Sequence, residues 1–346
     1  MTAGLGIDAA PLAPWLHDEL GLSAPFRFSH VSGGRSNLTY RVTDSAGSDF
    51  VLRRPPTSHV LPTAHDMARE FRVQSALHGT RVPVPRTLYL ADAGGVLGVP
   101  FYVMERVVGH VCRNQLPPGY GDTAAEREAI GGALIETLAY LHATDPAAVG
   151  LADFGRGGGF MERQLRRWSQ QWERSKAADL PALDALRDEL ARTVPGQAAV
   201  AIVHGDYRLD NTVLHPTRPG QIVAVLDWEM STLGDPFADL GALLAYWSES
   251  GDDDVLAAAR IIPPVTAAAG FPTRGEIVRR YAEITGFDVA DVAWYRAFAY
   301  FKLAVVCQGV AARAAGGAML GSGFEEAQAI VEPLVRAGHH VLAGAG

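Results

Sequence analysis

Apolar and polar positions alternate early in the chain and then change period. Phe26 and Phe28 alternate with polar neighbours, as do Leu38, Tyr40 and Val42. Phe50-Val51-Leu52-Arg53 adds a third short strand, stopped by Pro55-Pro56. Over 64–78 the apolar residues take helical spacing, with Met67, Phe71 and Leu77 on one side and Glu70 at its edge. Strand signals return over 82–90 and 100–104. Strands, one helix and more strands predict a small β-rich lobe over 20–104. After a connector at 105–109 the period becomes mainly helical. Residues 124–143 are amphipathic through Ile130, Leu134, Leu138 and Leu141. Residues 161–193 read as helical and arginine-rich, and helical spacing dominates from Pro236 onward. Two short apolar strands interrupt, at 200–203 and 222–226, and each runs into polar residues. The expected second lobe spans 110–346.

Composition narrows the partners. With 346 residues, 48% apolar and 20% charged, the chain can build two lobes with cores of their own. A net charge of -8 argues against a nucleic-acid partner. Cys112 and Cys307 lie far apart among apolar neighbours, which predicts buried thiols in a reducing, cytoplasmic setting and gives no metal spacing. The first residues lack the basic and apolar regions of a signal peptide. The stretch 292–312 is apolar but broken by Arg296, Lys302 and Gln308, so it reads as a buried helix and no membrane partner is expected. Motifs of serine hydrolases, zinc proteases and P-loop enzymes are absent.

The chemistry concentrates where the two short strands end. The first delivers His204-Gly205-Asp206, with Asn211 five residues past Asp206. The second delivers Asp227-Trp228-Glu229, with Asp227 sixteen residues past Asn211. A strand holds a carboxylate rigidly at its end, and two neighbouring ends would gather Asp206, Asn211 and Asp227. Oxygen ligands of this kind suit Mg²⁺, which takes few protein oxygens plus phosphate and water. Phosphoryl transfer needs this set: one carboxylate orients the acceptor hydroxyl, while an amide and a second carboxylate hold metal. The protein-kinase pattern has the same aspartate-to-asparagine spacing, followed by a second aspartate.

These stretches, with Phe50–Arg53, His65–Leu77, Pro100–Glu105 and Leu226–Leu240, resemble the aminoglycoside phosphotransferase-like kinase family. The branch they resemble most is the one associated with acyl-CoA dehydrogenases. The resemblance implies an α+β, bilobal protein-kinase-like fold with a small β-rich N-lobe and a larger, mainly helical C-lobe. It implies ATP, with GTP as the alternative, and Mg²⁺. Asp206 would be the catalytic base, and Asn211 and Asp227 the metal ligands. His204 would brace the loop, and Asp239 would fix it through its backbone. The family's phosphate-binding lysine is replaced by Arg53, with Glu70 as its ion-pair partner. Strand alternation puts Val51 on the same face as Arg53, so Val51 would meet the base and Arg53 the phosphates. Connector residues Glu105 and Val107 would read the base. The turn Ser32-Gly33-Gly34-Arg35-Ser36-Asn37 would cover the phosphates, although it lacks a full glycine-rich pattern. Arg208 could offset charge on the transferring group. Glu229 stands where a kinase has glycine.

Substrate identity is expected from Phe160–Arg174. Trp168 and Trp172 share a helix face, and Arg163, Arg166 and Arg167 make the helix basic. Gly157-Gly158-Gly159 before it reads as a hinge. An acidic triplet, Asp252-Asp253-Asp254, would be the counterpart for a polycationic antibiotic. The basic helix and the acyl-CoA dehydrogenase association favour a hydroxy acid or hydroxyacyl-CoA acceptor, and a functional association with such a dehydrogenase. The alternatives are an aminoglycoside-type antibiotic kinase and a non-catalytic, pseudokinase-like nucleotide-binding module.

Overall fold

A computed structural model describes residues 7–31, 37–56, 66–176, 179–252, 262–315 and 324–344. The chain divides into two compact units. One comprises Met1–Gly109 with Val223–Ser231, the other His110–Ile222 with Thr232–Gly346.

The first unit is built on an antiparallel five-stranded sheet. Its strands are β1 (Arg27–His30), β2 (Leu38–Thr43), β3 (Asp49–Arg54), β4 (Thr87–Ala91) and β5 (Phe101–Glu105), in the order β1-β2-β3-β5-β4. Alternation sorts the side chains between two faces. Tyr40, Val42, Leu52, Phe101 and Val103 point to one face, where they pack with Leu12 and Leu16 of helix α1 (Ala9–Leu20). Tyr102 and Met104 point to the other, where Met67 of α2 (Met67–Leu77) and half-buried Val51 join them. The register sets Arg53 opposite Tyr102 and Val51 opposite Met104.

Two departures from the expected elements involve prolines. The strand expected over 82–90 begins only at Thr87, because Pro83 and Pro85 have no N–H to give a ladder. Helix α1, absent from the expected elements, forms with Pro11 and Pro14 inside it. Pro11 sits in the first turn, where no intrahelical donor is needed. Asp8 caps that turn by accepting from the Ala10 N–H (3.0 Å), and Gly21 closes the helix in the left-handed region at φ 65°.

The second unit is mainly helical, with α3 (Ala124–Ala143), α4 (Phe160–Ser175), α5 (Pro181–Arg192), α6 (Phe237–Tyr246), α7 (Arg274–Thr285), α8 (Val292–Ala315), α9 (Phe324–Ala329) and α10 (Val331–Ala343). The single helical stretch expected over 161–193 is two helices, the second opened by Pro181 at its first position. Gly241 lets α6 cross α8 closely: a Cβ there would fall 2.5 Å from the Tyr295 carbonyl carbon. Short strands β6 (Ala201–Val203) and β9 (Thr232–Gly234) pair antiparallel. Between them in sequence lie β7 (Thr212–Leu214), bridged to His110, and β8 (Ile222–Val225). Cys112 and Cys307 are buried thiols, and burial raises each pKa to about 11. Among the described residues, no helix is long and apolar enough to cross a membrane.

Candidate active site

In the first unit the site grows from β3, α2 and the turn after β8. Arg53 is held between carboxylates. Its Nε lies 3.0 Å from Glu70 Oε2, Nη2 donates to Asp227 Oδ1, and Nη2 is 3.8 Å from Glu229 Oε2. Glu70 is 1% exposed and has further donors: Asn37 Nδ2 at 2.7 Å and the Tyr102 hydroxyl at 3.0 Å. Gln74 completes the set by donating to the Tyr102 oxygen at 3.0 Å. Burial pushes the Glu70 carboxyl up to about 7, against the pull of Arg53 and Tyr102. Burial works against the Arg53 charge too, but Glu70, Tyr102 and Asp227 outweigh it, and the guanidinium stays protonated. The expected Arg53–Glu70 pair is therefore present. The arginine fork also reaches Asp227, which a single ammonium could not do in the same geometry.

Asp227 adopts φ 67° and ψ 58°, a left-handed conformation that non-glycine residues rarely take. Its neighbours hold it there. Trp228 is fully buried and donates from Nε1 to the Val225 carbonyl (2.9 Å). The Val225 N–H donates to the Pro83 carbonyl (2.8 Å), and Arg69 Nε donates to the Ser231 carbonyl (3.2 Å). Strain of this kind costs about 1–3 kcal/mol and persists where surroundings over-determine it. Glu229 accepts from Asn37 Nδ2 at 3.2 Å, a bond that reaches outside its own loop, and Asn37 bridges it to Glu70. Ser32, Gly33 and Gly34 lie outside the described residues. Val51 is half-buried in the cluster of Met67, Tyr102 and Met104. The Glu105 N–H is taken by the Arg86 carbonyl (2.9 Å), while Val107 is half-buried.

The second unit carries the other loop. The His204 and Gly205 N–H groups donate to the two oxygens of Asp239 at 2.6 and 2.8 Å. Asp239 is buried, yet its pKa is lowered: His142 and these N–H groups outweigh the desolvation cost. His142 Nε2 is 3.3 Å from Asp239, and its Nδ1 meets the Tyr281 hydroxyl at 2.7 Å. His204 is fully buried and accepts from the Asp206 N–H through Nδ1 (3.2 Å), which fixes its proton on Nε2. Asn211 Nδ2 donates to the Asp206 carbonyl (2.8 Å) and to Asp206 Oδ2 (2.9 Å). This orients the carboxylate and turns the amide oxygen of Asn211 away from it. Arg208 Nε lies 3.4 Å from Asp206 and 3.1 Å from Asp210, with its guanidinium 4.7 Å from the Tyr246 ring centroid. Asp210, a residue without a role in the sequence pattern, anchors Arg208.

Three residues beside these loops make contacts that no local sequence spacing predicts. Lys302 Nζ donates to the Gly205 carbonyl (3.3 Å) and sits 5.6 Å from the Trp168 ring centroid. Burial lowers its pKa, with Asp206 and Asp239 opposing. Tyr246 and Asn37 are the others. Their partners lie tens of residues or more away in sequence, where no spacing rule reaches.

The substrate helix needs one correction. Trp172 is fully buried and donates to Asp184 (2.9 Å), so it is a core residue and offers no surface to a substrate. Trp168 differs: it is half-buried, lies beside Lys302, and has Arg167 5.6 Å from its ring. Arg166 and Arg167 are exposed, and Arg163 donates to the Arg156 and Gly158 carbonyls. Gly157 is a close-packing glycine, since a Cβ there would fall 2.4 Å from Val200. Of the acidic triplet, Asp252 is paired with Arg274, while Asp253 and Asp254 lie outside the described residues.

The chain is 36% identical over 306 residues to mouse acyl-CoA dehydrogenase family member 10, covering 85% of this chain and 27% of that protein. It is 33% identical over 329 residues to human acyl-CoA dehydrogenase family member 11, covering 91% of this chain and 40% of that protein. The chain thus spans well under half the length of these relatives. A crystal structure from Ralstonia eutropha JMP134, which carries the aminoglycoside phosphotransferase name, is 34% identical with a TM-score of 0.83, covering 97% of this chain and 98% of that one. The family pattern for phosphotransferase enzymes matches residues 27–264, which include Arg53, Glu70, Asp206, Asn211, Asp227 and Asp239. The fold is that of the aminoglycoside phosphotransferases, and the chain belongs to the phosphotransferase enzyme family.

Proposed function

We propose that this chain is an ATP- and Mg²⁺-dependent kinase that phosphorylates a hydroxyl of a small acidic molecule, a hydroxy acid or hydroxyacyl-CoA. The observation that carries the reading is the double hold of Asn211 on Asp206, above a loop clamped by Asp239. A carboxylate fixed in this way can point at an acceptor hydroxyl without reorganising during the reaction. The oxygens fit a hard cation: Asn211 has an amide oxygen turned away from Asp206, and Asp227 is a strand-end carboxylate with a partly exposed side chain. Bound Mg²⁺ would screen charge on the nucleotide phosphates.

Within this reading Asp206 orients the acceptor hydroxyl and receives its proton. Asn211 and Asp227 hold the cation. Arg53 turns part of its fork from Asp227 to phosphate oxygens, keeping Glu70 as its anchor. Val51 and the connector residues Glu105 and Val107 contact the base. Arg208, held by Asp210, offsets charge on the group in flight. Lys302 braces the loop at Gly205. Trp168, Arg166 and Arg167 favour an anionic acceptor over a polycationic one. The names of the acyl-CoA dehydrogenase relatives support a thioester acceptor and a functional association with such an enzyme.

Arg208→Ala is expected to lower kcat about 10–100-fold while changing nucleotide KM less than threefold. Steady-state kinetics with ATP varied at saturating acceptor separates the two effects. Equal losses in both would assign Arg208 to nucleotide binding instead. The acceptor class is tested by a transfer screen over hydroxyacyl-CoAs, hydroxy acids, sugars and aminoglycosides. Turnover is expected with the acidic hydroxyl compounds, and turnover confined to aminoglycosides would overturn that part of the reading. A non-catalytic nucleotide-binding module is the second reading, favoured by the direct hold of Arg53 on the carboxylate that would ligate metal.

A further inference from the structure

The second unit contains a cavity of about 480 Å³ that the catalytic loop does not use. This volume lies in the usual range of small-molecule sites. Ser248 and Glu249, just past α6, form one wall; Arg274 of α7, Arg296 and Tyr300 of α8, and His340 of α10 form the others.

The arginines here differ in what they do. Arg274 is committed to the fold. It donates to Glu249 Oε2 (2.7 Å), Asp252 Oδ1 (2.8 Å) and the Leu244 carbonyl (3.2 Å). Both acidic side chains among the described lining residues are therefore engaged by this guanidinium, and Arg296 lies within electrostatic reach of Asp252 as well. Arg296 is held differently. Its guanidinium lies 5.5 Å from the Tyr300 ring centroid, and Nη2 donates to the Tyr300 hydroxyl at 3.2 Å. Among the described residues, its Nε is buried and has no hydrogen-bond partner. A buried N–H without an acceptor costs free energy, and an oxyanion would remove that cost. Arg336 and His340, one helical turn apart on α10, also line the space.

Its position links it to the catalytic loop. The Tyr246 ring supports Arg208, and Ser248 and Glu249 follow two and three residues later. At about 3.3 Å per residue, the cavity wall begins about 7–10 Å along the chain from that tyrosine.

We propose that this cavity binds an anionic group, phosphate or carboxylate, at the end of the acceptor remote from its reacting hydroxyl, with Arg296 as the oriented donor. Assigning the anion to the acceptor rests on the kinase reading above; binding of an anion in the cavity does not. Arginine with two N–H groups in a plane suits such an oxyanion, and the Tyr300 ring preorganises it. An acceptor with a phosphorylated handle, such as a coenzyme A thioester, would then be gripped at both ends.

The test uses the full chain with its nucleotide site filled by Mg·AMP-PNP. Pyrophosphate is titrated by calorimetry into the wild type, Arg296→Ala and Arg296→Lys, with thermal melts to confirm folding. One equivalent is expected to bind the wild type, at least tenfold more weakly Arg296→Ala, and with intermediate affinity Arg296→Lys. Coenzyme A is expected to displace pyrophosphate, and pantetheine, which lacks the terminal phosphates, is not. No binding, or equal binding to Arg296→Ala, would overturn the cavity site and leave the kinase reading intact. Pyrophosphate binding through Arg296 that neither coenzyme A nor hydroxy acids displace would overturn its assignment to the acceptor and mark a separate effector site. Anion binding as expected, with no phosphoryl transfer to any acceptor, would fail the kinase reading alone.

Discussion

Asp206→Asn is expected to lower phosphoryl transfer by about 10²–10⁴-fold, while Mg·ATP binds within a few-fold of wild type. The substitution keeps size and removes the charge and the proton acceptor. Asn211 would still donate to the Asp206 main-chain carbonyl, and Asp239 would still clamp the loop from the other side, so the backbone has no reason to move. The residues proposed to hold the cation, Asn211 and Asp227, are untouched. Binding and chemistry should therefore separate cleanly: calorimetry of Mg·AMP-PNP near wild type, single-turnover transfer close to background. Lost nucleotide affinity with the rate per bound complex intact would move Asp206 from the chemistry to the binding site.

Arg53→Met is expected to cost about 3–5 kcal/mol of stability at pH 8 and to abolish nucleotide binding. The reason is the company Arg53 keeps. Glu70 is 1% exposed, and Asp227 and Glu229 are close by; without the guanidinium, three carboxylates share one space. The pH dependence has a definite sign. Glu70 has a folded pKa raised to about 7 from 4.5, so the folded state binds the proton more tightly than the unfolded chain. Its contribution is favourable at low pH and is lost as pH rises from about 4.5 through 7. Removing Arg53 raises that pKa further, so the variant should lose less stability at pH 5 than at pH 8. Adding Glu70→Gln should recover part of the loss at pH 8. Urea melts at both pH values check this, and a loss under about 1 kcal/mol at pH 8 would show that the pair is not a structural hinge of the unit.

The parts of this molecule that the sequence showed clearly are those with short-range periodicity. Leu38, Tyr40 and Val42 alternate, and they form an inward face of β2. The Asp206-to-Asn211 spacing is local, and the structure closes it with two hydrogen bonds. Proline shapes two elements that periodicity did not give: α1 forms around Pro11 and Pro14, and Pro83 and Pro85 shorten a strand whose apolar residues look continuous. Trp168 and Trp172 are four residues apart on one helix face, so periodicity treated them alike. The packing of α5 separates them, because Asp184 takes the Trp172 indole into the core. Asn37 and Lys302 were out of reach for another reason. Asn37 meets Glu229 across 192 positions and Lys302 meets Gly205 across 97, and only the folded chain makes such pairs.

The measurement that bears most directly on the proposed activity is phosphorus NMR of the full chain with Mg·ATP and a panel of hydroxy acids and their coenzyme A thioesters. A phosphomonoester signal that appears with at least one acceptor, requires Mg²⁺ and vanishes in Asp206→Asn is the expected result. ATP left unchanged with every acceptor, or transfer equally fast in Asp206→Asn, would contradict a kinase acting through this loop.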